Sequence, residues 1–334
     1  MVQSFHIQWH ITDICNCRCQ HCYQDSFSPA SQLSFSALVK IFENIKDFLQ
    51  RKKVKLTVNL TGGEPLLHPD WKRLLEFLSA QPVVHQLGLI TNGHFLDSQN
   101  CHFLSRFPGC KLKISAEAAE EKSYEFFRGP GRWEKFLQGI EQARKTGLEM
   151  TLMFTLLEIN ADRLEEVIQF AWEQKFHNVI IERFIPWGKG QLLKKSVISK
   201  QKWKQTGKFL LKVCGMEEDL SLLTPYRAFM LVKKKNTINL LGASCVLGKD
   251  GLALMPDGTV YPCRRFPLTI GNLRQQSLSE IWENSPILKM LRTRIFLKGK
   301  CQSCQVKNCP GCRAFAYALE GDFLEEDKLC FLGD

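Results

Sequence analysis

Four cysteines crowd one short stretch near the start of the chain, Cys15-Asn16-Cys17-Arg18-Cys19-Gln20-His21-Cys22-Tyr23. Cys15, Cys19 and Cys22 stand at C-x3-C-x2-C spacing. That spacing suits three thiolates around one cubane iron-sulfur cluster and leaves the fourth iron open to a substrate or cofactor. A zinc knuckle with Cys17 or His21 as fourth ligand is the alternative on spacing alone. Cys17, inside the loop, reads as a bystander. Seven more cysteines, Cys245, Cys263, Cys301, Cys304, Cys309, Cys312 and Cys330, fill the last quarter, and only Cys101, Cys110 and Cys214 lie between. Fourteen thiols in a chain with no signal peptide favour metal or cluster ligation over a disulfide framework.

The elements that must position these thiols alternate. Phe5–Ile11, Lys55–Leu60, Leu87–Ile90, Leu112–Ser115, Met150–Leu156 and Val179–Glu182 read as strands. Helices fall between them, at Ser34–Gln50 with Ser34 as cap, Asp70–Ser79, after Asp97, Trp133–Lys145 and Asp162–Gln174. Six strands alternating with helices predict an α/β fold with a parallel sheet, open or curled into a partial barrel, with ligands at the strands' carboxyl ends. The cysteine loop follows the first strand and Thr61-Gly62-Gly63-Glu64-Pro65 follows the second, so both sit at that end. The alternation stops near Pro186-Trp187-Gly188-Lys189-Gly190, and a helix follows around Lys202–Val213. Beyond Leu240 come short strands and turns, with Leu252–Met255 and Thr259–Tyr261 flanking a hairpin signal at Pro256-Asp257-Gly258. This divides the chain into a core at 1–190, a helical linker at 191–240 and a cysteine-rich domain at 241–334.

Composition bounds the function. The 334 residues are 44% hydrophobic, enough for a substantial core, and carry a net charge of +11 in scattered runs such as Lys233-Lys234-Lys235. Such runs read as solvated faces, and no nucleic-acid module is visible. No apolar run approaches the ~20 residues of a membrane helix, and Met1–His6 lacks the features of a signal peptide, so a cytoplasmic location is expected.

The cysteine loop, Tyr23 and the Gly62-Gly63-Glu64-Pro65 turn together resemble the radical S-adenosylmethionine (SAM) superfamily, over roughly Phe5 to Trp187. The resemblance implies a partial (β/α)6 TIM-like barrel. It also implies a 4Fe-4S cluster on Cys15, Cys19 and Cys22, whose open iron chelates SAM and, when reduced, cleaves it to a 5′-deoxyadenosyl radical that takes a substrate hydrogen. Gly62 and Gly63 would let backbone approach the bound SAM, and Glu64 would face its ammonium. Asn92 and Ser115 fall where the family places ribose and carboxylate contacts, and Glu117, also expected at the cofactor, stands where many relatives have Asp. Arg128, or alternatively Arg132, would pair with the methionyl carboxylate.

The C-terminal cysteines resemble the SPASM extension of these enzymes, a small domain with a β-hairpin and short helices that carries two auxiliary iron-sulfur clusters. Both inner gaps of the central run are one residue shorter than usual. By analogy Cys301, Cys304, Cys309 and Cys330 hold one full cluster, and Cys245, Cys263 and Cys312 another, whose fourth position is open or filled by Asp250. A pair of zinc ribbons is the competing reading.

The resemblance implies an oxygen-sensitive oxidoreductase fed by a low-potential donor such as ferredoxin or flavodoxin. The leading expectation is a maturase of a peptide or protein. With the core strand beginning at about Phe5, a separate leader-peptide-binding protein or a direct docking site is expected. Arg264 stands where formylglycine-forming maturases carry Asp, which disfavours that reaction. The alternative is modification of a tetrapyrrole, by decarboxylation of haem-pathway propionates, or of a pterin, because the tail from Gly311 to Cys330 resembles those branches too. Arg264, Arg265 and Arg313 would then meet the anionic substrate. A non-catalytic iron-sulfur or zinc scaffold is the third reading.

Overall fold

A computed structural model describes residues 3–235, 237–307 and 309–332; Met1 and Val2 of the start lie outside them. Six strands, β1 (Ser4–Thr12), β2 (Lys55–Gly62), β3 (Val84–Thr91), β4 (Cys110–Ser115), β5 (Met150–Leu156) and β6 (Asn178–Arg183), pair in sequence order, each parallel to the last. Between them run α1 (Phe35–Lys52), α2 (Trp71–Ser79), α3 (Ser98–Ser105), α4 (Glu121–Arg128), α5 (Trp133–Lys145) and α6 (Leu164–Glu173). The fold is therefore mixed α/β around a parallel sheet, and the sheet does not close.

Period and burial agree. α1 buries Leu38, Ile41, Phe42, Ile45, Phe48 and Leu49 on one face against the sheet, each side chain contributing about 1.5–3 kcal/mol. Ser34 occupies the cap position, but its hydroxyl bonds that of Ser36 and caps nothing. β1 turns Phe5, Ile7, Trp9 and Ile11 toward one side, all 4% exposed or less, while His6 and His10 alternate to the other, as strand geometry requires. No helix among the described residues is long and apolar enough to cross a membrane.

The stretch 191–240, expected as a helical linker, is only half helix. After α7 (Lys200–Val213) the chain forms β7 (Tyr226–Lys234) and β8 (Thr237–Ser244), a hairpin that adds antiparallel to β6. The burial of Ala228, Phe229 and Leu231 explains the extension; the basic run at its turn masks that pattern in the sequence. Position 241 also falls inside β8. The hairpin signal around Pro256 holds: β9 (Gly251–Leu254) and β10 (Thr259–Tyr261) pair antiparallel, and β9 lies parallel to β1. With the short β11 (Gly271–Asn272), the cysteine-rich region thus joins the far edge of the same eleven-stranded sheet. The helices α8 (Leu278–Asn284), α9 (Pro286–Leu291), α10 (Lys300–Ser303) and α11 (Arg313–Glu320) complete the chain.

Candidate functional site

The carboxyl ends of β1 to β6 surround a cavity of about 970 Å³, its open mouth included. Cys15, Cys19 and Cys22 border it together with Tyr23, Gly62, Gly63, Asn92, Ser115, Glu117 and Arg128. Cys17 and His21 are also in the wall, as are Arg183, Arg264 and Arg265.

The cysteine loop is held from below by the turn that ends β2. Gly63 N donates to Thr12 O and Glu64 N to Ile14 O, both at 2.8 Å. Backbone meets backbone here: a Cβ on Gly63 would lie 2.4 Å from Ile14 O, and one on Gly62 would lie 2.2 Å from Thr12 O. The two glycines therefore admit the cysteine loop itself, in addition to bordering the cavity. Glu64, expected to face a ligand, does not line the cavity. Its carboxylate is fully buried and accepts from Thr91 Oγ1 at 2.7 Å, Asn92 N at 2.8 Å and Leu66 N at 3.2 Å. Burial pushes it up to about 7 despite those bonds. Pro65, likewise behind the wall, opens a short 3-10 turn that Glu64 caps.

A second brace was missed in the sequence. Gly190 N donates to Cys22 O at 2.7 Å and Lys189 N to Gln24 O at 3.2 Å. Gly188, at φ +56°, has room for no Cβ beside Tyr23 O, which lies 2.3 Å from that position. The Gly-Lys-Gly turn after β6 signalled this tight approach, but its partner is far away in sequence. Arg132 completes the frame by donating to Asn16 O at 2.7 Å, and does not line the cavity.

Beside the thiols lies a buried charge cluster. Arg128 Nε and Nη2 bond the two Glu117 oxygens at 2.7 and 2.9 Å, and His21 Nε2 lies 3.1 Å from Glu117 Oε1. Burial works to raise Glu117, but Arg128 and His21 overcome it and hold the carboxyl down at about 2. The guanidinium expected to meet a ligand carboxylate is thus already half of an ion pair. Among the described residues, His21 Nδ1 is buried without a partner. The thiol of Cys17, bonding to its neighbours, and then the Arg128 charge lower Cys19 to about 6, so the site favours a thiolate there.

The remaining cysteines separate into two groups. Cys301, Cys304, Cys309 and Cys330 border one cavity of about 680 Å³ with Arg227, Gly311 and Asp327. Cys312 lies close enough to raise the thiols of both Cys245 and Cys263, and Cys263 that of Cys245, after burial has its larger effect. Asp250 is exposed, with its carbonyl accepting from His6 N at 2.7 Å. Arg313, expected to meet substrate, is 1% exposed and bonds Cys301 Sγ at 3.3 Å and the Phe323 and Glu325 carbonyls. It is a support of the thiol group, too deep to touch a ligand in the main cavity. Cys17, Cys101 and Cys110 are buried thiols outside these groups, and Cys214 is half-buried.

Among the described residues no three His, Cys, Asp or Glu side chains close on a point where a single ion would sit. The thiols instead rim cavities, three with cationic neighbours in one case and four with two guanidiniums in the other. That donor chemistry fits iron-sulfur cubanes, the first with one position left open.

The family described as the radical SAM superfamily matches residues 9–171, and SPASM, an iron-sulfur cluster-binding domain, matches residues 245–312. The AdoMet-dependent heme synthase of Methanosarcina barkeri (strain Fusaro / DSM 804) is 28% identical over 97% of this chain and 95% of its own. Streptococcus suis SuiB bound to its precursor peptide SuiA superposes with a TM-score of 0.75, over 99% of this chain and 77% of its own, at 16% identity. The chain anSMEcpe with bound AdoMet gives 0.74, over 98% and 90%, at 18% identity. The last two likenesses are of fold.

Proposed function

The chain belongs to the radical SAM superfamily and carries a C-terminal SPASM domain, with SAM and 4Fe-4S clusters as its cofactors, and we propose that it oxidatively decarboxylates propionate side chains of a tetrapyrrole. The observation that carries this reading is a surplus of positive charge in the wall of the cavity that the thiols border. Arg264 Nη2 lies 2.5 Å and Arg265 Nη1 3.6 Å from the same Glu182 oxygen. One carboxylate faces two guanidiniums, so one positive charge remains for an anionic substrate. The heme synthase likeness along nearly the whole of both chains supports the same substrate class.

Held at Cys15, Cys19 and Cys22, the cluster and SAM supply hydrogen-atom abstraction. The chain's own residues orient the substrate toward that point. Arg264, resting over the Tyr23 ring at 5.6 Å, and Arg265 would each donate to a propionate, while Phe154, Phe184 and Ile185 offer apolar wall to a macrocycle. Loss of one hydrogen atom and one electron converts R–CH2–CH2–COO⁻ to R–CH=CH2 and CO2. A cluster held by the C-terminal cysteines would supply an acceptor for the released electron, and a ferredoxin or flavodoxin would deliver the initiating one. Maturation of a peptide or protein, the first expectation from the sequence, rests on likeness of fold alone.

The test is anaerobic incubation of reconstituted protein with SAM, a strong reductant and an iron porphyrin bearing propionates. The expected product has lost one CO2 and two hydrogens per converted side chain, read by mass spectrometry. Changing Cys15, Cys19 and Cys22 together to Ala should abolish it. SAM cleavage with an unchanged porphyrin and a modified synthetic peptide would overturn the substrate assignment.

A further inference from the structure

Two of the four thiols at Cys301, Cys304, Cys309 and Cys330, here the distal group, receive charged donors. Arg227 Nη2 donates to Cys309 Sγ at 2.6 Å, and Arg313 Nη2 to Cys301 Sγ at 3.3 Å. Both guanidiniums are fixed by groups other than the thiols. Arg227, on β7, also donates to Thr224 O at 2.8 Å and lies 3.5 Å from Asp327 Oδ2. Asp327 is a buried carboxylate clamped by Arg183 at 3.0 and 3.1 Å and bonded by Cys312 N at 2.9 Å. Arg313, opening α11, is tied to the Phe323 and Glu325 carbonyls at 3.0 and 2.6 Å. By contrast, Cys15 and Cys22 accept from the backbone amides of Cys17 and Gln24, each at 3.4 Å.

Reduction of a cluster adds negative charge that spreads onto its thiolates, and donors to those sulfurs stabilise the reduced form more than the oxidised one. The effect is larger for ionised donors. We infer that Arg227 and Arg313 raise the reduction potential of the distal site, making it the acceptor of the electron released when substrate is oxidised. The inference rests on the reading that Cys301, Cys304, Cys309 and Cys330 hold a cluster. One electron leaves the substrate carbon radical, the distal core charge falls by one, and a one-electron carrier protein later restores it. Asp327 bridges the two sides of this path, since Arg183 borders the main cavity and Asp327 the distal one.

The experiment is a redox titration followed by electron paramagnetic resonance on the full chain loaded with iron and sulfide. Cys15, Cys19 and Cys22 are changed to Ala to silence the N-terminal site, and the signal lost on adding Cys309→Ala identifies the distal one. Arg227→Gln should lower the distal midpoint by about a tenfold change in the reduction equilibrium, about 59 mV for one electron. Arg227→Lys, which keeps the charge, should move it less, and the other auxiliary signal, whose Cys245 also feels Arg227, should move less than the distal one. An unmoved distal midpoint in Arg227→Gln would overturn the inference while leaving the cluster assignment intact. If no signal depends on Cys309, the cluster assignment itself falls. Should Arg227→Gln lose iron, Arg313→Gln carries the same comparison: a lowered distal midpoint supports the inference and an unmoved one overturns it.

Discussion

Replacing Gly63 by alanine separates two jobs for the Gly-Gly-Glu turn: approaching a ligand, or supporting the cysteine loop. The new Cβ would meet Ile14 O at 2.4 Å and Asp13 O at 2.6 Å, against a favourable separation of about 3.5 Å. The loop must retreat by about 1 Å. Retreat strains or breaks the bonds from Gly63 N to Thr12 O and from Glu64 N to Ile14 O. Each is worth about 0.5–1.5 kcal/mol, and the overpacking adds about 1–3 kcal/mol. The expected loss is about 2–6 kcal/mol, out of the 5–15 kcal/mol or so that holds a typical protein folded. Cys15 follows Ile14 directly, so the same movement draws one thiol from the other two. Urea unfolding of the anaerobically prepared variant should show the loss, and iron analysis should show about four fewer irons per chain with the auxiliary iron retained. Stability within about 0.5 kcal/mol of the parent, with full iron, would refute the supporting role. Full stability and iron with weakened SAM binding alone would assign the glycines to the ligand.

Three other outcomes are expected. Glu117→Gln leaves the buried Arg128 charge without its partner and should cost about 3–5 kcal/mol, while Glu117→Gln with Arg128→Met should cost clearly less than the two single changes added; additivity in urea melts would refute the coupling. Glu117 is held at about 2, below its ordinary 4.5, so its contribution to stability is present above pH 4.5 and is lost as the pH falls toward 2; the unfolding midpoint of Glu117→Gln should accordingly fall less steeply across that window than the parent's. Arg265→Gln removes a charged donor from the cavity wall and should weaken iron-porphyrin binding at least about tenfold, measured by absorbance titration, and an unchanged affinity would remove Arg265 from the substrate site.

The parallel core was legible because each strand and helix carries its own period. Met150–Leu156 and Trp133–Lys145 fall where the pattern places them, and the cysteine loop and Gly-Gly turn announce themselves by residue type at strand ends. What escaped was set by partners distant in sequence. Glu64 looks like a ligand-facing acid until Thr91 and Asn92 are seen to consume both its oxygens. Arg313 looks like a substrate contact until α11 turns it under Cys301. The hairpin of β7 and β8 escaped because its turn is a run of lysines, a signal that reads equally well as a solvated linker. The division of seven cysteines between two groups was reachable only through resemblance, since spacing alone permits several partitions.

The open sheet gives the C-terminal region a structural task as well as a chemical one. Its hydrogen-bonded order runs from β11 through β1 and on to β8, so β11 and β8 are edges that do not pair with each other. Side chains link the two flanks of the sheet away from those edges. Arg264, just past the end of β10, reaches Glu182 on β6, and Arg265 Nη1 donates to Arg183 O at 3.0 Å. Asp327 then clamps the Arg183 side chain from the tail. Closure by ion pairs rather than by a ladder leaves cationic groups, instead of a continuous strand, along this wall of the cavity. The same residues that close the wall therefore set its charge. Arg264→Gln should on that account both loosen the fold and weaken anion binding, whereas a residue serving substrate alone would move only the second.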